Sequence, residues 1–186
     1  MDSGENHLDS EILLTENALL ELLKKKLCPG YVRDRDAVML TAPWEDGDFR
    51  VGVYLYDIQD YSVVVTEGSV NDEERRFPPK AVELFYMIFC NEKHRFGGVR
   101  REQSHAILNE IIRLAYDNPI LRREDGENVQ ISFLRENAEF KLRLWGSFNQ
   151  PLQPAAYIKA VPVLIASARS RKAARVKEQV VDVGRM

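Results

Sequence analysis

The sequence predicts a single α+β domain, with a mixed, mostly antiparallel sheet of about four to five strands flanked by three helices. Three observations carry that prediction. Three stretches repeat apolar residues at helical spacing, whereas others alternate or run apolar as strands do. Helix-like and strand-like stretches interleave along the chain. The 186 residues, 45% of them hydrophobic, suffice for one core, and no repeat or low-complexity segment divides them.

The stretch from Glu136 to Ser167 is the most informative. Ala138, Leu142 and Trp145 fall at i, i+4 and i+7, so one helix face carries them, and Leu144 and Phe148 widen it. Gly146 stops the helix, Pro151 and Pro154 mark a loop, and Tyr157 to Ile165 is apolar and β-favouring, as a buried strand requires. Trp145, Leu142 and Tyr157 are therefore expected in the structural core, with Trp145 as its keystone.

The upstream elements follow in order. Residues 1–10 form an acidic arm. Ser10 caps a helix over 11–27, where Ile12, Leu13, Leu19, Leu20, Leu22, Leu23 and Leu27 make a broad apolar face. Lys24, Lys25 and Lys26 occupy its last turn, where the helix dipole favours cations, and Cys28-Pro29-Gly30 ends it. A short strand fits Val38–Leu40. Phe49 to Ile58 alternates, with Val51, Val53 and Leu55 on one face and Tyr54, Tyr56 and Ile58 on the other. Val63–Val65 extends that strand or pairs with it. Residues 66–77 are polar and read as a hairpin or flap.

After Pro78-Pro79, residues 81–90 are apolar except for Glu83, which predicts a central strand covered on both faces. Residues 99–117 form a helix with Ile107, Leu108, Ile111, Leu114 and Ala115 on one stripe, ended by Asn118-Pro119. Val129–Leu134 alternates as a further strand. The resulting organisation is an arm over 1–10, a domain over 11–168 and a basic tail over 169–186, in which Val176–Val183 is strand-prone.

Net charge is −3 with a pI near 5.7, so no global positive field recruits nucleic acid or an anionic membrane, and neither is expected as a partner. No apolar run reaches the ~18 residues of a membrane span. The acidic N-terminus is unlike a secretory signal, and Cys28 and Cys90 lack metal or redox spacing. The expectation is a soluble protein made in a reducing cytosol. Charge is unevenly placed: residues 1–16 hold five acids and no Lys or Arg, whereas 169–186 hold six Lys or Arg and two acids. Solvated tails account for this, and so do neighbours of opposite sign in an assembly.

The sequence offers little chemistry. No phosphate-binding glycine loop is present, and Gly97-Gly98 is accounted for by turn geometry. Glu102 and His105 make one E-x-x-H pair, but a di-metal site needs a second pair and further carboxylates. No cofactor is expected. Glu139-Phe140-Lys141 downstream of Asp125 has the spacing of a metal-dependent nuclease motif, yet in those enzymes the Glu and Lys lie on a strand and here they fall in a helix. Ser62, Ser132 and Ser147 lack a nucleophile elbow. Tyr54, Tyr56 and Tyr61 suggest base stacking, but Asp57 and Asp60 stand where basic residues would be needed.

Four pieces in fixed order carry a resemblance. They are Leu55-Tyr56-Asp57-Ile58; Pro78-Pro79 leading into Val82–Phe89; Ala115-Tyr116-Asp117-Asn118-Pro119-Ile120-Leu121; and Arg143-Leu144-Trp145-Gly146-Ser147-Phe148 through Gln153-Pro154 to Tyr157 and Val161. Together they cover roughly residues 11–168, and the set resembles the cap, or tail-terminator, proteins of phage-tail-like contractile injection systems. The acidic arm is longer than that pattern, and many relatives continue beyond the last strand.

The resemblance implies a tail-terminator-like fold and no enzymatic activity. It implies a ring, usually sixfold, that ends the inner tube and anchors the last sheath layer. Partners would be copies of itself and the sheath and tube proteins. The setting would be the bacterial cytoplasm during assembly, then a phage-tail-like particle, released or anchored in the cell. Two surfaces are expected to meet neighbours. One is the tail, with Arg169, Arg171, Lys172, Arg175, Lys177, Val180 and Val181, suited to strand addition at a sheet edge. The other is the flap, with Asp72, Glu73, Glu74, Arg75 and Arg76. The competing readings are a small metal-dependent nucleic-acid-processing enzyme and a monomeric adaptor module.

Overall fold

A computed structural model describes residues 10–62, 69–71, 74–92 and 101–172. Helix α1 spans Glu11–Leu27, with the Ser10 hydroxyl accepting from the Leu13 N–H at 3.2 Å and three lysines closing its last turn. A 3-10 turn at Arg35–Ala37 leads into β1 (Val38–Leu40), followed by β2 (Val51–Asp60). A hairpin follows, of β3 (Ser69–Asn71) and β4 (Glu74–Arg76). Then come β5 (Lys80–Cys90), α2 (Arg101–Asp117), β6 (Ile120–Arg122) and β7 (Asn128–Phe133). The chain continues with α3 (Ala138–Ser147), β8 (Ala155–Ile165) and β9 (Ser170–Lys172).

Six strands form the main sheet in the order β1-β2-β5-β8-β7-β6, curled and antiparallel except for the parallel β1–β2 pair. The α+β class and the mostly antiparallel sheet are as the sequence predicts, with one strand more than expected. The additional strand is β6, three residues directly after Asn118-Pro119 and too short to show a period. Phe49 lies just outside β2, although it is buried.

Period-two alternation makes each central strand feed two cores. From β5, Leu84, Tyr86, Ile88 and Cys90 join Val51 and Val53 of β2 under α1 and α2, where Leu19, Leu23, Ile107, Ile111 and Leu114 close the larger core. Met87 and Phe89 point the other way, into a smaller core with Phe49, Trp145 and Tyr157. Gly52 sits opposite Phe89 in the ladder, and a Cβ there would lie 2.5 Å from that ring. Only glycine lets the ring lie across β2.

Two readings from the sequence are corrected. Trp145 and Tyr157 are buried, at 1% and 2% exposure, but Leu142 is 58% exposed and Ala138 is exposed too. The helix turns Phe140, Leu144, Trp145 and Phe148 toward the sheet. The buried stripe is therefore 140/144/145/148, rotated from 138/142/145. A large ring at 145 and two phenylalanines outweigh one leucine. Secondly, Ile58 does not share a face with Tyr54 and Tyr56. The ladder shifts between Leu55 and Asp57, which brings Ile58 opposite Leu84 on the side of the larger core.

Helix α3 runs one residue past Gly146, and Asn149 supplies the left-handed turn (φ 53°) that redirects the chain. Val63–Val65, residues 99–100 and the Val176–Val183 strand lie outside the described residues, as does Gly97-Gly98.

Candidate assembly surface

The flap and the tail, separate in the sequence, lie side by side. β3, β4 and β9 make a second, three-stranded sheet in which Glu74 pairs with Lys172, Arg75 with Arg171 and Arg76 with Ser170. β4 leads into β5 and β8 leads into β9. The β4–β9 ladder is thus a continuation of the long β5–β8 ladder, interrupted at Phe77-Pro78-Pro79 and at 166–169. The two prolines cannot donate to a ladder, which explains the interruption. The result is a β-arm growing from one end of the main sheet.

Several contacts fix the base of this arm. The Phe77 N–H donates to the Arg169 carbonyl at 3.1 Å, and the Arg169 guanidinium lies 4.6 Å from the centroid of the Phe77 ring. Lys80 pairs with Asp60. The Ala166 N–H donates to the Glu11 carboxylate at 3.2 Å, tying α1 to the root of β9. Of the expected interface residues, Arg169 is exposed at the base and Glu74, Arg75, Arg76, Arg171 and Lys172 lie on the arm strands. Asp72, Glu73, Arg175, Lys177, Val180 and Val181 lie outside the described residues. The signal for the arm in the sequence was Pro78-Pro79, read there only as the entrance to a strand.

Two depressions mark the rest of the surface. A groove of about 820 Å³ separates α1 from the edge strand β6, with Ala18, Leu22 and Ile120 as its apolar part and both signs of charge around them. A shallower pocket of about 380 Å³ lies where β1 and β2 meet α1, lined by Glu16, Leu40, Trp44, Glu45, Tyr54 and Leu55 among others.

Candidate catalytic groups are placed apart or engaged elsewhere. Asp125 pairs with Arg123 in the turn between β6 and β7. Glu139 pairs with Arg143 along α3, and Lys141 lies 5.3 Å from the centroid of the Tyr157 ring. Glu102 and His105 are both exposed on α2. Among the described residues no group of three or more His, Cys, Asp or Glu is placed to hold a metal ion, and no helix is long and apolar enough to cross a membrane. Burial pushes the Cys90 thiol up to about 12.

The curled six-stranded sheet with three helices defines a tail-terminator-like domain. The chain belongs to the family of the Pvc16 N-terminal domain, which matches residues 15–179. In structure it is similar to the PVC sheath/tube terminator of an extracellular contractile injection system in the extended state. There the TM-score is 0.67 at 15% identity, over 94% of this chain and 64% of that one. It is also similar to the tube-terminating cap of the anti-feeding prophage, with a TM-score of 0.59 at 17% identity, over 90% of this chain and 60% of the other. The chain thus spans less than two thirds of either structure. No curated protein sequence matches it.

Proposed function

We propose that the chain is a structural, non-enzymatic cap of a phage-tail-like contractile injection system. In this reading it closes the end of the inner tube and anchors the last sheath layer as a ring of copies, sixfold in the simplest form. Family membership over residues 15–179 is the observation that carries the reading. Fold similarity to a sheath/tube terminator and to a tube-terminating cap supports it. The β-arm supplies a projecting element whose outer strands are, among the described residues, β3 and β9, suited to main-chain pairing with a neighbour. Assembly in the bacterial cytoplasm before incorporation into the particle fits the same reading.

The test is co-expression with the cognate tube and sheath proteins, followed by negative-stain imaging. The expected result is density at one end of tubes, with rings of about six copies. Undecorated tubes, or metal-dependent cleavage of nucleic acid by the purified chain, would overturn the reading. Ring closure can require the tube as template, so a monomer in isolation does not decide the matter and the imaging does.

A further inference from the structure

The pocket at the junction of β1, β2 and α1 has charge of one sign. Glu16 and Glu45 line it, and among the described residues no lysine or arginine does. Its walls include two aromatic rings. Trp44 is 47% exposed yet fixed, because its ring packs 5.3 Å from Tyr54 and 5.0 Å from Phe148. The Glu45 carboxylate accepts from the Thr41 hydroxyl at 2.6 Å and the Ala42 N–H at 3.1 Å, and both bonds lower its pKa. It is therefore ionised at neutral pH and oriented by those two bonds. The Glu16 carboxylate is half-buried and forms no hydrogen bond or ion pair among the described residues, so burial raises its pKa.

A fixed, exposed indole beside two carboxylates is suited to a cationic side chain. The ring face attracts the cation, and the acids supply opposite charge. We propose that this pocket receives a lysine or arginine from the basic segment 169–186 of a second copy of the chain. That segment carries six bases against two acids. The inference rests on the reading of the chain as a subunit that assembles with its own copies.

Geometry argues against the bases of the same copy from Arg169 to Lys177. Leu55, in the pocket, pairs with Tyr86, six residues from Lys80 where the arm begins. Lys172 pairs with Glu74, six residues beyond Lys80 in the same direction. At about 3.3 Å per residue these are about 20 Å each, or about 40 Å along the ribbon. Arg175 and Lys177 follow Lys172 by three and five residues, a reach of at most about 18 Å, so of the segment's six bases only Arg185, thirteen residues past Lys172, could span that path within one copy. A neighbour's segment has no such limit.

The experiment titrates a fluorescent synthetic peptide of residues 169–186 into the full chain and reads anisotropy. The expected result is saturable binding, weakened at least about tenfold by Trp44→Ala and by Glu16→Gln. Circular dichroism checks that both variants keep the native fold. Glu16→Gln preserves shape, so it remains decisive if Trp44→Ala unfolds. Absent binding, equal binding by the variants, or equal binding of a scrambled peptide would overturn the proposal. Decoration of tube ends is scored separately, so a failure here is distinguishable from failure of the capping reading.

Discussion

Trp145 meets its surroundings with both edge and nitrogen. The indole N–H donates to the Tyr157 hydroxyl at 3.1 Å, while Phe89 stands edge-on at 6.1 Å and Phe148 at 6.4 Å. Removing the ring leaves a cavity that these neighbours fill only in part, so Trp145→Ala should cost about 3–5 kcal/mol in urea unfolding. Leu142→Ala, three residues away on the exposed side, should stay within about 0.5 kcal/mol. Equal costs for the two would mean that α3 is rotated from the orientation described.

The cysteines give a second residue-scale prediction. With the Cys90 thiol near 12 and its ordinary value near 9, neutral pH leaves about a thousandfold less thiolate. A thiol reagent should therefore label the half-exposed Cys28 in the native protein and Cys90 only after denaturation, as peptide mapping would show. The sign for stability follows from the raised value. The unfolded chain loses this proton near pH 9 and the folded chain only near 12, so the contribution is complete below 9 and is lost between 9 and 12. The urea midpoint should fall across that window.

At the scale of elements, long periodic segments were legible and short or register-dependent ones were not. Helix α1 is found at its predicted limits because Ser10 and Cys28-Pro29-Gly30 mark both ends chemically. β5 was legible as a central strand because both of its faces are apolar. β6 escaped because three residues show no period, and the flip of Ile58 escaped because a ladder shift is a property of two strands. Likewise Leu142 has the right spacing for the core, yet competition with Phe140 and Phe148 for the sheet decides the helix rotation. The pocket around Trp44 draws on α1, β1 and β2, which no local pattern joins.

The arm carries the element-scale prediction. Among the described residues neither core contains one beyond Ile165, so a chain ending at 168 should still fold cooperatively, with its urea midpoint close to that of the full chain. The β3–β4 hairpin would lose its third strand, and an isolated two-stranded hairpin is marginal in water. Limited trypsin digestion should then cut faster at Arg75 and Arg76. A truncated chain that fails to fold would place the tail in the core, and unchanged cleavage would mean that β9 does not support the hairpin.

For the whole molecule, charge is divided between the body and its last segment. The chain carries −3 and residues 169–186 carry +4, so the remaining residues carry −7. Under the proposal above, this charge split draws one copy's tail toward another's body, where Glu16 and Glu45 line the pocket. Such attraction is screened by salt, because the Debye length falls from about 30 Å at 0.01 M to about 3 Å at 1 M. Self-association of the full chain, measured as mean mass by light scattering, should therefore decline over that salt range. The chain ending at 168 should associate less at low salt and respond little to added salt. Apolar contacts would behave differently, since salt does not screen the removal of apolar surface from water. A mean mass that holds or rises with salt would assign assembly to apolar surface, such as the groove between α1 and β6, and would remove the tail from that role.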